Sequence, residues 1–156
     1  MGVSRRMVLG SSLAAVVAAG LAGQAQAADP VRIGEINSYT GLPAFTLPYR
    51  HGWELAVEEI NAKGGVLGGR KLEVVSRDDN GKPDDAVRIA NELVTAEKVH
   101  LLTGTFFSHI GLAVSDFAKQ NKTLFIAAEP LTDAITWEKG NRYTFRLRPS
   151  NYMQAA

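Results

Sequence analysis

Along this chain, short apolar runs alternate with longer stretches in which apolar residues recur every three or four positions. The run VRIGEINS from Val31 alternates weakly and is rich in β-branched residues, which predicts a first strand. A loop with Gly41, Pro43 and Pro48 follows. From Tyr49 onward Trp53, Ala56, Val57 and Ile60 fall on one helical face, with Glu54, Glu58 and Glu59 opposite. AKGG ends that helix, with Lys63 in its last turn and Gly64 suited to a left-handed cap. RKLEVVSRDD predicts a second strand, broken by NGKP. A second helix from Asp84 carries Ala86, Ala90, Leu93 and Val94 on one side, and two aspartates in its first turn oppose the macrodipole. VHLLTGT predicts a third strand, and from Ser108 a third helix shows Ile110, Ala113, Val114 and Phe117 in register. TLFIAAE predicts a fourth strand, a Pro130 loop follows, and RYTFRLRPS predicts a fifth.

Strands alternating with helices of about a dozen residues imply repeated βαβ units. The expected fold class is α/β, a doubly wound parallel sheet in a three-layer sandwich. The almost wholly apolar third and fourth strands belong at its centre, covered on both faces. Ligands in such folds bind outside the carboxyl ends of the strands. Here those ends are the loops at 37–47, 79–83, 104–109 and 128–136. At the far end, RPSNYMQAA opens a further helix with Ser150 or Asn151 as its cap and no stop signal, so 150–156 reads as the start of an element that continues elsewhere.

The first 27 residues carry a different pattern. Arg5 and Arg6 precede an alanine-rich apolar run, and small residues stand at Ala25 and Ala27, the layout of a cleavable secretory signal peptide. Gly20 and Gly23 interrupt the run, which makes it short for a bilayer-spanning helix. SRRMVL also resembles a twin-arginine export signal, with Val8 where that motif has phenylalanine, so both export routes stay open. Removal of residues 1–27 takes away two arginines and no acids, moving the formal charge from +1 to −1. That balance gives no electrostatic case for nucleic acid or for an anionic membrane surface. The chain has no cysteine, which excludes disulfides, thiol chemistry and a lipid-bearing cysteine at the cleavage site. The expected location of the mature chain, residues 28–149 and the segment beyond, is the periplasm, without membrane insertion.

Four arrangements invite chemistry. GGVLGGRK from Gly64 approximates a phosphate-binding loop, but Arg70 stands where lysine belongs, no Ser or Thr follows, and it lies after a helix instead of before one; it reads as a turn. RDDNGKPDD gathers four aspartates without the spacing or the bidentate glutamate of a calcium loop, and reads as a turn with helix N-terminal charge. Asp79 still has a place at the strand end where a ligand would lie. His51, His100 and His109 sit on separate elements with no ligand spacing, so no metal and no cofactor is expected. Ser108 beside His109 suggests a nucleophile and its base. Neighbours at a helix start, however, point about 100° apart. Phe106 and Ile110 also occupy the positions of the glycines in a nucleophile elbow. Ser108 reads instead as an N-cap whose hydroxyl, with the free N–H groups of the helix start, suits a ligand carboxylate. Phe106 and Phe107 would supply apolar wall.

IGEINSYTG, GWELAVEEINAKGGVLGGRKLEVVSRDDNGKPDDAVRIANELV and TGTFFSHIGLAVSDFAKQNKTLFIAAEPLTD together resemble the first lobe of periplasmic solute-binding proteins, in the branched-chain amino acid (type I) class that serves ABC importers. The similarity runs over residues 31–156. The resemblance implies a non-enzymatic receptor with two lobes joined by crossing strands. This chain would then hold the N-terminal lobe to residue 149 and reach the first crossover. The implied partners are a small-molecule ligand and an inner-membrane ABC permease. The family's first-lobe serine corresponds to Ser108, which implies that it holds the ligand carboxylate. The family's aromatic in the first strand–helix loop corresponds to Phe45, with Tyr39 beside it. Where the family often reads alanine-alanine-threonine, this chain reads Glu129-Pro130-Leu131. The lost hydroxyl at Leu131 leaves two alternatives open. Glu129 takes the ligand amine, or the three phenylalanines favour a carboxylate with an aromatic or otherwise apolar body. The candidate ligand-binding set is thus Ser108, His109, Phe106, Phe107, Phe45, Tyr39, Glu129, Leu131 and Asp79, with His109 a flank and not a chemical participant. A ligand-sensing receptor domain and an exported serine hydrolase remain as rival classes.

Overall fold

All five predicted strands form and all are parallel. The computed structural model describes residues 29–156; the signal peptide expected over 1–27 lies outside the described residues. The elements run β1 (Val31–Asn37), α1 (Pro43–Ala62), β2 (Leu72–Asp78), α2 (Pro83–Thr95), β3 (Leu101–Gly104), α3 (Ser108–Asn121), β4 (Phe125–Ala127), a 3-10 turn (Asp133–Ile135), β5 (Thr144–Arg146) and α4 (Asn151–Ala155). The sheet order is β2-β1-β3-β4-β5. Connections from β1 go outward to β2 and then return past β1 to β3, so the direction of winding reverses between β1 and β3. This is the doubly wound arrangement expected from the sequence, and its switch point lies between those two strands.

The two sheet faces are unequal. Ile36 of β1, with Leu102 and Phe125, faces α2 and α3 and joins Ile89, Leu93, Ile110, Val114 and Ile135 in one buried cluster. On the opposite face Ile33 and Glu35 of β1 meet Trp53, Val57 and Ile60 of α1 around a cavity of about 250 Å³. Only Thr46 of α1 is fully buried, and Leu55 stays exposed. The tight core therefore belongs to α2, α3 and one side of the sheet.

Two helix starts differ from expectation. α1 begins at Pro43, six residues before Tyr49, and carries Pro48 inside it. Proline is tolerated at a first helical position because its missing N–H would be unpaired there anyway. Pro48 does remove one internal bond. The Thr46 hydroxyl donates to the Leu42 carbonyl at 3.1 Å, which ties down the first turn of the helix. α3 is capped by Phe107 and not by Ser108, which is already helical. At the other ends, Gly64 takes the left-handed conformation (φ +104°) expected of it. The glycine run that mimics a phosphate loop is a tight turn, in which the Val66 N–H donates to the Arg70 carbonyl at 2.7 Å.

Candidate functional site

The carboxyl ends of β1, β3 and β4 converge at the switch point. The Thr105 N–H donates to the Ile36 carbonyl at 2.6 Å, and the Ala128 N–H donates to the Gly104 carbonyl at 2.9 Å. Gly104 has φ +105°, and a Cβ there would stand 2.3 Å from the Ile36 oxygen. Only glycine lets β3 turn this sharply toward α3. Gly111 serves a similar close approach, since a Cβ on it would lie 2.6 Å from Pro130 Cγ.

Beyond these ends lies a pocket of about 240 Å³ lined by Phe106, Phe107, Ser108, Glu129, Leu131, Arg148 and Asn151. Five of the nine candidate residues meet there: Phe106, Phe107, Ser108, Glu129 and Leu131. Phe45 projects from the first turn of α1 and joins them through its ring, 5.7 Å from that of Phe106. Phe106 and Phe107 meet edge to face at 5.3 Å, and His109 extends the row, 5.7 Å from Phe107. Tyr39 and Asp79 lie apart. The Tyr39 hydroxyl donates to Glu35 Oε2 at 2.9 Å and accepts from Trp53 Nε1 at 3.3 Å, toward α1. Asp79 is fully buried, accepting from the Ser38 hydroxyl at 2.6 Å and the Gly81 N–H at 2.8 Å. Arg148 and Asn151 were not among the candidates: they belong to the segment after β5, which pattern alone places only as the start of a new element, with Asn151 a possible cap.

Ser108 does not cap its own helix. Its Oγ accepts the Thr132 N–H at 3.2 Å, which binds the post-β4 loop to the start of α3. A hydroxyl has one proton to donate and two lone pairs, so this bond leaves the proton for another acceptor. The first N–H groups of α3 also lack helical partners and carry partial positive charge. The loop is held from two other sides. Arg146 donates to the carbonyls of Pro130, at 2.9 Å, and Thr132, and the Asn151 N–H donates to the Leu131 carbonyl at 2.8 Å. The donor face is thus built on fixed backbone.

Burial dominates the site's acids. It pushes the Glu129 carboxyl above its ordinary value, opposed by the hydrogen bond from Asn37 and by the charge of Arg148. It also raises Asp79, against the bonds from Ser38 and Gly81. No hydrogen bond joins Ser108 to His109 among the described residues; each is engaged elsewhere, on Thr132 and against Phe107. Asp78 Oδ1 and Oδ2 accept the N–H groups of Asn80 and Thr40, while Asp84 and Asp85 sit in the first turn of α2, so the aspartate run is built into turns. Among the described residues no group of three or more His, Cys, Asp or Glu is placed to hold a metal ion. No helix among them is long and apolar enough to cross a membrane.

The model of one protein family, described as periplasmic binding protein, matches residues 30–156. A Leu/Ile/Val-binding protein homolog from Brucella suis is 34% identical over 138 residues, covering 88% of this chain and 34% of its own length. Among solved structures, the branched-chain amino acid transporter substrate-binding protein LivJ from Streptococcus pneumoniae, in complex with isoleucine, superimposes with a TM-score of 0.71 at 30% identity, over 78% of this chain and 34% of that one. A solute-binding protein of an ABC transporter from Rhodopseudomonas palustris, in complex with 3,4-dihydroxybenzoic acid, gives 0.68 at 28% identity, over 78% and 32%. The chain spans about a third of the length of each of these proteins.

Proposed function

The chain belongs to the periplasmic binding protein family, and from that premise we propose that it forms the first lobe of a two-lobed receptor that captures a small carboxylate-bearing solute for import. The observation that carries this reading is Ser108. Among the described residues its hydroxyl proton has no acceptor, it stands at the first turn of a fourteen-residue helix, and it opens into a pocket walled by phenylalanine. Hydroxyl, free N–H groups and partial positive charge together favour an anion's oxygens. The receptor reading makes the protein a binder and not an enzyme, since no base addresses Ser108 among the described residues.

In this reading the ligand is held first on Ser108 and the row of rings, and the second lobe then closes over it. Closure is driven by contacts that exist only when both lobes touch the ligand. The closed form is presented to an inner-membrane ABC permease, and the place of action is the periplasm. A branched-chain or related amino acid is the ligand suggested by the Leu/Ile/Val-binding relatives. The continuous row Phe45–Phe106–Phe107 supports a second reading, a carboxylate with an aromatic body.

A thermal-shift screen of the protein expressed at full length, against leucine, valine and aromatic acids, tests the proposal. Stabilisation by a carboxylate ligand, abolished in Ser108→Ala with the unliganded melt unchanged, is the expected result. Insensitivity to every carboxylate, or a shift that persists in Ser108→Ala, would refute the role given to Ser108.

A further inference from the structure

The amino ends of the strands, opposite the Ser108 pocket, carry a second recess of about 440 Å³ lined by Asp29, Pro30, Arg32, Arg70, Lys98 and His100. Three segments meet there: the entry to β1, the turn before β2 and the turn before β3. His100 sets a problem of protons. Its Nδ1 accepts the Arg32 N–H at 3.0 Å, and its Nε2 stands 3.3 Å from Arg70 Nη2. An imidazole offers at most one lone pair, and the Arg32 N–H takes it, so the ring proton is on Nε2. The Nε2–H and an Arg70 N–H therefore face each other, donor against donor. An acceptor set beside both, off the line that joins them, satisfies the two together.

The guanidinium is held in place for that task. Arg70 Nε donates to the Asp29 carbonyl at 2.5 Å and Nη2 to the Pro30 carbonyl at 3.1 Å, which fixes the fork and leaves Nη1 without an acceptor among the described residues. Arg32, by contrast, is matched by Glu73 at 3.0 Å and Glu97 at 3.9 Å. Asp29 is the single acid among the lining residues and is exposed, and among the described residues neither Arg70 nor Lys98 forms an ion pair.

We propose that this recess binds a phosphate-type oxyanion. One oxygen accepts from His100 Nε2 and Arg70 Nη2, a second from Arg70 Nη1, and Lys98 approaches a third. A tetrahedral anion presents oxygens to donors that arrive from three segments, whereas the two oxygens of a carboxylate lie in one plane. Its charge answers the two cations that have no acid of their own. The phosphate is either free or part of a lipid headgroup, and the recognising chemistry is the same. Because β1, β2 and β3 begin at this recess and end toward the Ser108 pocket, the site stands whether or not the carboxylate-receptor reading does.

Titration of the protein expressed at full length with inorganic phosphate, at ionic strength held constant with chloride and followed by amide NMR, tests the site. The Arg70 Nε–H and the amides of Lys98 and His100 should shift with a dissociation constant of about 1 mM or tighter, while the amides of Ser108 and Thr132 stay still. Arg70→Gln removes the fork. In His100→Asn the side-chain oxygen replaces Nδ1 as acceptor for the Arg32 N–H, so the unliganded melt should match wild type with only the Nε2–H donor lost. Each variant should bind phosphate about 10-fold more weakly or worse. Co-sedimentation with phosphatidylglycerol vesicles, against phosphatidylcholine, separates the sources. Retention lost in Arg70→Gln supports the site with a headgroup as its ligand, and a response to inorganic phosphate without retention supports it with the free ion. No response to phosphate together with no retention, a response centred on the Ser108 amide, or binding unchanged in both variants would overturn the site and leave the Ser108 reading standing.

Discussion

Replacing Glu35 by glutamine should make this protein more stable at alkaline pH while leaving it unchanged in acid. Glu35 lies in the middle of β1 at 1% exposure, on the face toward α1. Its Oε2 accepts the hydroxyls of Tyr39, at 2.9 Å, and Ser76, at 2.6 Å, and its Oε1 has no partner among the described residues. Burial raises the carboxyl from an ordinary 4.5 to about 7; the bonds from Ser76 and Tyr39 and the charge of Arg50 oppose that rise, and Asp79 adds to it. The folded state therefore holds the Glu35 proton more tightly than the unfolded chain does. That advantage is complete below pH 4.5 and is lost as pH rises through about 7. A gap of this size corresponds to about 3 kcal/mol, since each unit is worth about 1.4 kcal/mol. In Glu35→Gln the amide keeps an oxygen for Tyr39 and Ser76 and carries no charge to bury, so the loss should vanish. Urea melts between pH 5 and 8.5 read the effect, with Trp53 as a local reporter because its Nε1 donates to the Tyr39 hydroxyl. Wild type should lose about 2.5 kcal/mol over that window, the rest having gone below pH 5, and Glu35→Gln almost none of it. A wild-type profile that stays flat, or a glutamine variant weaker than wild type at pH 8.5, would refute the reasoning.

The unequal faces of the sheet supply a second prediction: Leu93→Ala, in the closed α2–α3 core, should cost about 2–5 kcal/mol, whereas Val57→Ala, on the loosely covered α1 side, should cost under about 1 kcal/mol by the same urea melts. Gly104→Ala forces a side chain into a left-handed turn and against the Ile36 carbonyl, and should destabilise by about 2–4 kcal/mol in thermal or urea unfolding. Arg146→Gln removes the clamp on Pro130 and Thr132, so the Thr132 and Asn151 amides should exchange hydrogen about tenfold faster or more, while the Leu102 amide, inside the sheet, keeps its protection.

How far the sequence could be read depends on whether a residue's role is set by its neighbours in the chain or by distant ones. Strands β3 and β4 are apolar runs wedged between helices, so local pattern revealed them, although in each only the residues on one face are fully buried. The start of α1 was concealed because prolines normally end a helix; Pro43 instead occupies the one position where proline favours it, and the helix continues through Pro48. Ser108 was recognisable as a special serine at a helix start, but its partner is Thr132, twenty-four residues away on a different loop, and no local pattern announces that bond. The same holds for Tyr39 and Asp79, strand-end residues in sequence whose side chains are bound to Glu35 and Ser38.

Arg148 is the sharpest case. In sequence it is one of several basic residues near the end of β5, alternating with Arg146 two positions before it. Alternation along a strand would send both side chains to the same side. The fold separates their tasks: Arg146 turns to the carbonyls of the post-β4 loop, while Arg148, past the end of β5, reaches the pocket opposite Glu129. The difference arises because the chain leaves the sheet at Leu147, whose N–H still donates to the Ala127 carbonyl, and enters the Ser150-capped turn of α4. A residue just beyond the last ladder bond is free of the strand's alternation, and there the fold can place a charge that the pattern does not foretell. Glu129 stands in the same relation to β4, two residues past Ala127. Both charges occupy the first positions that the parallel sheet releases, which is where a doubly wound fold meets its ligand.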